Sequence, residues 1–320
     1  MSEISNCYKF GLISTLRSHE KKGIRHHDIT KTALEKDLIN LGPKATWEKY
    51  LEIIEHNLKI VNFTLNNLPA QVVHSRITSN LIPLATLKSF DQAKMNYELV
   101  LEEEKILGLC QELKKIIIEK KIAVSMHPSQ FVSLAANDEI IRKNSQAELI
   151  YHAKILELIS KEAVITVHLN SKSELVKSLG EEKYLQWAAE SVMNLPAYVL
   201  AKICLENESR GFWNSNNLYK FHLYCLEKYK ISFPLVWDNA HETANLSQIS
   251  SDKENWEWFI TTWGNQTPLF HWSESCGKIN AGHCDYYHHE KLPPSSIPIW
   301  ECEIKTKELA LEKLLKSAKI

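Results

Sequence analysis

A chain of 320 residues is long enough for one large α/β domain or for two of average size. Its 44% apolar and 24% charged side chains match globular averages, which excludes disordered, collagenous and fibrous classes. The 38 basic and 39 acidic residues leave a net charge of -1, so no global positive field argues for nucleic acid, and any polyanion site must be a local patch. Short β-rich runs then alternate with helical patterns from end to end. The first run is Lys9 to Ser14, followed by a polar, basic loop from about residue 15 to 46 that carries Arg17, Lys21, Lys22, Arg25, His26 and His27. A helix is predicted over Trp47 to Leu68, where Leu51, Ile54, Leu58 and Val61 share one face. The run Val72 to Ile77, a helix over Glu102 to Glu119, the run Ile122 to His127 and a helix over Glu139 to Ser160 come next. Val164 to Leu169, Ala201 to Glu206, Pro234 to Asp238, Pro268 to Trp272 and Pro298 to Glu303 complete eight runs, and Lys307 to Lys316 reads as a closing helix. Each run is too short for a helix and too apolar for a surface loop, as suits a parallel strand covered on both faces.

Eight strand–helix repeats predict a (β/α)8 TIM barrel with its site at the C-terminal face of the strands. No Pro, Gly or Ser-rich linker divides the chain, so residues 1–320 are expected to form one domain. Cys7, Cys110, Cys204, Cys225, Cys276, Cys284 and Cys302 contain no C-x-x-C pair and are expected to be reduced, buried thiols. With no apolar leader and no apolar run of about 18 residues, the chain is expected to be cytoplasmic and to span no membrane.

Six of the runs end in a residue that can bind a metal: His127, His168, Glu206, Asp238, His271 and Glu303. The gaps of 41, 38, 32, 33 and 32 residues are one βα unit each. In a barrel these ends converge, so the six would meet in one pocket, with His241 and His283 close behind. This set exceeds what a single four-coordinate ion needs and implies two or three divalent ions sharing a bridging carboxylate. Nitrogen and oxygen donors without sulfur suit Mn2+, Zn2+ or Mg2+. Such a cluster on a barrel rim suggests phosphodiester hydrolysis. His19, His26, His27, His56, His152 and His222 read as surface residues, and His74, His288 and His289 as structural ones.

The motifs S-M-H-P-S-Q-F (Ser125 to Phe131), H-L-N-S (His168 to Ser171), L-E-N-E (Leu205 to Glu208), W-D-N-A-H (Trp237 to His241), H-W-S (His271 to Ser273), G-H-C-D-Y (Gly282 to Tyr286) and E-I-K-T-K-E (Glu303 to Glu308) stand in that order. Together, from about Lys9 to Leu311, they resemble the UV-damage endonuclease family, related to trinuclear AP endonucleases and xylose-isomerase-like barrels. The resemblance implies a DNA repair enzyme that nicks double-stranded DNA directly 5′ to cyclobutane pyrimidine dimers and 6-4 photoproducts, and at some abasic sites. It implies that His127, His168 and Glu206 hold one ion, that Glu206, Asp238, His271 and Glu303 hold a second, and that His241 and His283 hold a third. Mn2+ is the first expectation for the metal. The family's lesion probe falls on Gln130 and Phe131, where a phenyl ring can stack in place of the family's Tyr. Asn80, Arg76, Tyr286 and Lys305 are expected to support the cluster or to touch DNA. Phosphate contacts are further expected from Arg17, Lys21, Lys22, Arg25, Lys172, Arg210 and Lys278.

Two positions depart from the family. Leu269 stands where family members carry a Lys reported as carboxylated, and Leu12 follows Gly11 where an aromatic is common. The competing readings are a metal-dependent sugar isomerase or epimerase on the same barrel, and a lesion-binding protein without catalysis. The chain is expected to be a monomer with damaged duplex as its partner.

Overall fold

Eight parallel strands, ordered β6-β5-β4-β3-β2-β1-β8-β7, form the sheet of a computed structural model that describes residues 8–18, 35–87, 96–170, 173–275, 283–289 and 291–318. They are β1 (Lys9–Ile13), β2 (Val72–Ile77), β3 (Ala123–Met126), β4 (Val164–Val167), β5 (Ile203–Glu206), β6 (Leu235–Val236), β7 (Leu269–Trp272) and β8 (Ile299–Cys302). The two ends of this order meet where Asp238 bridges His271 in parallel and the His271 N–H donates to the Trp237 carbonyl at 3.0 Å. The barrel therefore closes through two of the predicted metal ligands.

All eight predicted strands are present, and most are shorter than the runs that announced them. The trimmed residues matter, because His127, His168, Asp238 and Glu303 stand just beyond strand ends. Pro234 and Pro268 precede β6 and β7, where a missing N–H costs no ladder bond while their carbonyls still accept from Leu205 and Ile299. The predicted helices appear as Pro43–Asn66, Glu104–Lys120, Glu139–Ile159 and Glu308–Ser317. Of the predicted face of the first, with its 3-4-3 spacing, Ile54, Leu58 and Val61 are buried and Leu51 is half-buried. In the long first loop, a short helix covers Glu35–Ile39 and the next begins at Pro43. The basic residues Lys21, Lys22 and Arg25 and the histidines 19, 26 and 27 lie outside the described residues, as do Lys172 and Lys278.

Inside the barrel, Gly11 pairs in register with both His74 and Glu301. A Cβ at Gly11 would sit 2.5 Å from His74 Nδ1, so only glycine leaves room for that imidazole. Leu12, at the departure from the family pattern, is buried in the core, and so is Leu269.

Three expectations are corrected. His152 and His222 are buried, because they lie on the inward faces of their helices and bond to the carbonyls of Glu148 and Phe233 at 2.7 and 2.8 Å. Cys110, Cys204, Cys225 and Cys302 are free buried thiols as expected, but Cys284 is disulfide-bonded, which no C-x-x-C spacing announced. Among the described residues no helix is long and apolar enough to cross a membrane.

Candidate metal centre

Glu206 ends β5 and is 1% exposed, and four imidazoles surround its carboxylate. His127 Nε2 and His168 Nε2 lie 3.1 and 3.4 Å from Oε2, while His271 Nδ1 and His241 Nδ1 lie 2.9 and 3.3 Å from Oε1. They come from β5, β7, the ends of β3 and β4, and the helix after β6, so the phase of the βα repeat has done what it predicted. Burial alone would raise the Glu206 carboxyl, but His271 and His168, with hydrogen bonds from His127 and His241, hold it well below the usual range.

Local hydrogen bonds aim these side chains. His127 Nδ1 lies 2.9 Å from its neighbour's carbonyl on Pro128, a bond in which the ring donates and Nε2 is left to face Glu206. Asp238 caps the helix Asn239–Ala244, its Oδ1 accepting the His241 N–H at 2.7 Å. That bond holds one oxygen, and Oδ2 is buried without a hydrogen-bond partner. Burial raises the Asp238 carboxyl, opposed by His241. His241 is pushed up to about 11, since Asp238 and Glu206 outweigh the burial that would lower it. His271 likewise rises to about 9 against burial, through Glu206 and Glu303, whereas burial takes His168 down to about 4.

Glu303 closes the ring from the end of β8, 3.4 Å from His271 Nδ1 and 3.2 Å from His283 Nε2. It also pairs with Arg76, and this charge together with His271 keeps its carboxyl well below the usual range despite burial. The potential ligand atoms form three groups, each within 4.8 Å: His127, His168 and Glu206; Glu206, Asp238 and His271; and His271, Glu301 and Glu303. Nitrogen and oxygen donors, together with an orphaned anionic oxygen on Asp238, fit divalent cations.

The remaining predicted residues stand around this core. Gln130 and Phe131 are exposed on the loop after β3, Phe131 by 80%, beside a cleft of about 750 Å3 that Asn80, Ser129 and Glu148 also line. Asn80 is exposed there and does not join the ligand groups. Lys305 Nζ lies 3.6 Å from Asp285, and Tyr286 carries Lys313 Nζ 5.3 Å above its ring centroid. The Arg17 Nε–H donates to the Lys305 carbonyl at 3.0 Å, and Arg210 is exposed.

Sequence reasoning missed four supports. Asn207 donates to the Asp238 carbonyl at 3.2 Å and accepts the Asp238 N–H at 2.7 Å, tying the ends of β5 and β6. Asn239 does the same to Ser273, at 2.8 Å both ways. Glu208, its carboxyl raised to about 8 by burial, accepts the Asn170 N–H at 2.7 Å and ties β5 to β4. The fourth is Glu301, fully buried two residues before Glu303. The signal was available in the E-C-E alternation, since residues two apart on a strand share a face.

A family model described as UV-endonuclease UvdE matches residues 9–320. A UV DNA damage endonuclease of Bacillus thuringiensis subsp. konkukian (strain 97-27) is 24% identical over 246 residues, covering 75% of this chain and 70% of that relative. The crystal structure of SacUVDE is similar with a TM-score of 0.76 at 24% identity, covering 98% of both chains. A D-tagatose 3-epimerase-like protein is similar in fold, with a TM-score of 0.51 at 13% identity over 97% of this chain and 96% of that one.

Proposed function

Because this chain belongs to the UV-endonuclease UvdE family, we propose that it nicks UV-damaged double-stranded DNA immediately 5′ to cyclobutane pyrimidine dimers and 6-4 photoproducts, with abasic sites as further substrates. The observation that carries the reading is the convergence of four imidazoles on Glu206 at the C-terminal ends of the strands. In this reading His127, His168 and Glu206 hold one divalent ion, Glu206, Asp238, His271 and Glu303 a second, and His241 with His283 a third, with Mn2+ the first metal to test. When bound, such ions supply Lewis acidity at the phosphoryl group and neutralise the developing charge.

The protein's own part is positional. Glu206 joins the two first groups through its two oxygens, so its charge links β3 and β4 ligands to those of β6 and β7. Asp238 presents Oδ2 because Oδ1 is held by the helix it caps. Gln130 and Phe131 would enter the duplex beside the lesion, and a phenyl ring kept 80% exposed at the edge of the cleft suits that use. A closed sugar pocket needs no such projecting ring, which weighs against the isomerase reading. In this reading Lys305, Tyr286, Asn80 and Arg210 would meet the DNA backbone.

The test is incision of an end-labelled duplex carrying one thymine dimer, with Mn2+ and with EDTA, beside an undamaged control. A metal-dependent cut directly 5′ to the dimer is expected, and it would also show that Leu269 is tolerated. No cut by protein that retains Mn2+ would reject the assignment.

A further inference from the structure

Beneath the ligands lies a second buried polar group that the proposed chemistry does not use. Arg76, on β2, directs Nη2 to within 3.0 Å of His271 Nε2 and pairs with both Glu301 and Glu303. Glu301 Oε2 lies 3.3 Å from His74 Nδ1, and His74 Nε2 lies 3.1 Å from Ser125 Oγ. The Arg76 side chain is 12% exposed and that of Glu301 is fully buried. A guanidinium so enclosed, with two carboxylates against it, offers little surface to a DNA phosphate.

The geometry points to Arg76 and Glu301 as a positioning pair for the metal centre and not as a contact to DNA. Two consequences of the pairing support this. Arg76 Nη2 alone contacts Glu301, Glu303 and His271, and so holds Glu303 on the side of His271 that faces Glu206. Glu301 Oε1 lies 3.5 Å from His271 Nε2, on the far side of the ring from Glu206. If Nδ1 serves as a ligand, Nε2 must carry the ring proton, and Glu301 is the carboxylate placed to accept it, as ligating histidines generally require. The same nitrogen cannot accept from Arg76 and donate to Glu301 at once.

This inference rests on the metal-centre reading above, and its test needs no incision. The variant Arg76→Met/Glu301→Met removes a buried charge of each sign, leaving the count unchanged and replacing an ion pair by apolar groups of similar size, a change that cores often tolerate. Mn2+ affinity is measured by titration without DNA, and binding to a dimer-containing duplex is measured in EDTA across a salt series. Mn2+ affinity is expected to fall by about 10- to 100-fold, the cost typical of losing a partner behind a ligand. The salt slope is expected to be that of the unmodified protein. Unchanged Mn2+ affinity with a slope shallower by about 0.9, the signature of one lost phosphate contact, would overturn the proposal. Arg76→Lys keeps the buried charge if the double variant does not fold, and it too is expected to weaken Mn2+ binding. Wild-type protein that binds no Mn2+ would remove the metal-centre reading itself, whereas equal binding by wild type and variants strikes the positioning pair alone.

Discussion

The two sides of the cluster solve the same electrostatic problem differently. Around Glu301 the compensating charge is built in, because Arg76 stays protonated at any accessible pH. His74 beside it is driven down to about 3 by burial and contributes no charge. Around Glu206 the neighbours are titratable imidazoles, and Asp238 keeps an oxygen with no hydrogen-bond partner. Where a fixed cation is present, the countercharge of the carboxylates depends neither on pH nor on an ion, although both Glu301 oxygens, like Asp238 Oδ2, lack a hydrogen-bond partner and burial still raises the Glu301 carboxyl. Where only imidazoles are present, satisfaction depends on protons or on ions, and a proton on an imidazole competes with an ion for the same nitrogen. Dependence on metal should therefore be concentrated on the Glu206 side.

The strongest way to break this contrast is Glu206→Gln. Removing the charge that joins two ligand groups is expected to lower incision by at least about a thousandfold, or about 4 kcal/mol in the barrier. Incision by this variant at the wild-type rate on the dimer duplex would show that the centre lies elsewhere. Next comes metal removal. Mn2+ at about 100 times its Kd is expected to stabilise the fold by about 2.7 kcal/mol relative to EDTA, read as a rise in Tm. Glu206→Gln should lose most of that rise. A Tm indifferent to Mn2+ would mean that the imidazoles settle Glu206 by themselves and that the two sides do not differ.

How much of this was legible beforehand follows from what a strand pattern encodes. The last inward residue of each β run is fixed by a period of two and by the repeat of the βα unit, so His127, His168, Glu206, Asp238, His271 and Glu303 could be placed in one pocket without coordinates. The lower layer has the same period, but convergence at the strand ends singles out only the last residue of each run. Glu301, beside Trp300 and Cys302, passed as part of an apolar strand. Asn207 and Asn239 act through bonds to backbone at strand ends about 30 residues away, a contact set by barrel closure and invisible to local spacing. His152 and His222, expected at the surface, each lie on the buried side of an amphipathic helix.

Gln130→Ala separates the cluster from the lesion probe. The residue is exposed on the loop after β3 and outside every ligand group, so Mn2+ affinity should be unchanged. The ratio of incision on damaged over undamaged duplex is expected to fall by about tenfold, close to 1.4 kcal/mol. A preserved ratio would detach Gln130 from recognition, and a weakened Mn2+ affinity would mean that the loop and the cluster are one unit.

The smallest effect uses a histidine remote from the cluster to sharpen the role of its carboxylates. His222 is buried like His271, yet its pKa moves the other way, lowered by burial and only partly restored by its bond to the Phe233 carbonyl. No carboxylate is paired with it among the described ion pairs, whereas Glu206 and Glu303 raise His271. With the folded pKa below the unfolded value, the unfolded chain binds the extra proton, so stability is complete above about pH 6.5 and declines as the pH falls through the folded pKa. His222→Asn keeps a donor for the Phe233 carbonyl and removes the titration. The stability advantage of wild type over this variant, measured by denaturant unfolding in EDTA, should shrink between pH 7 and pH 5; an advantage that grew instead would mean that His222 is held protonated, and burial without a carboxylate would no longer account for the difference between the two histidines.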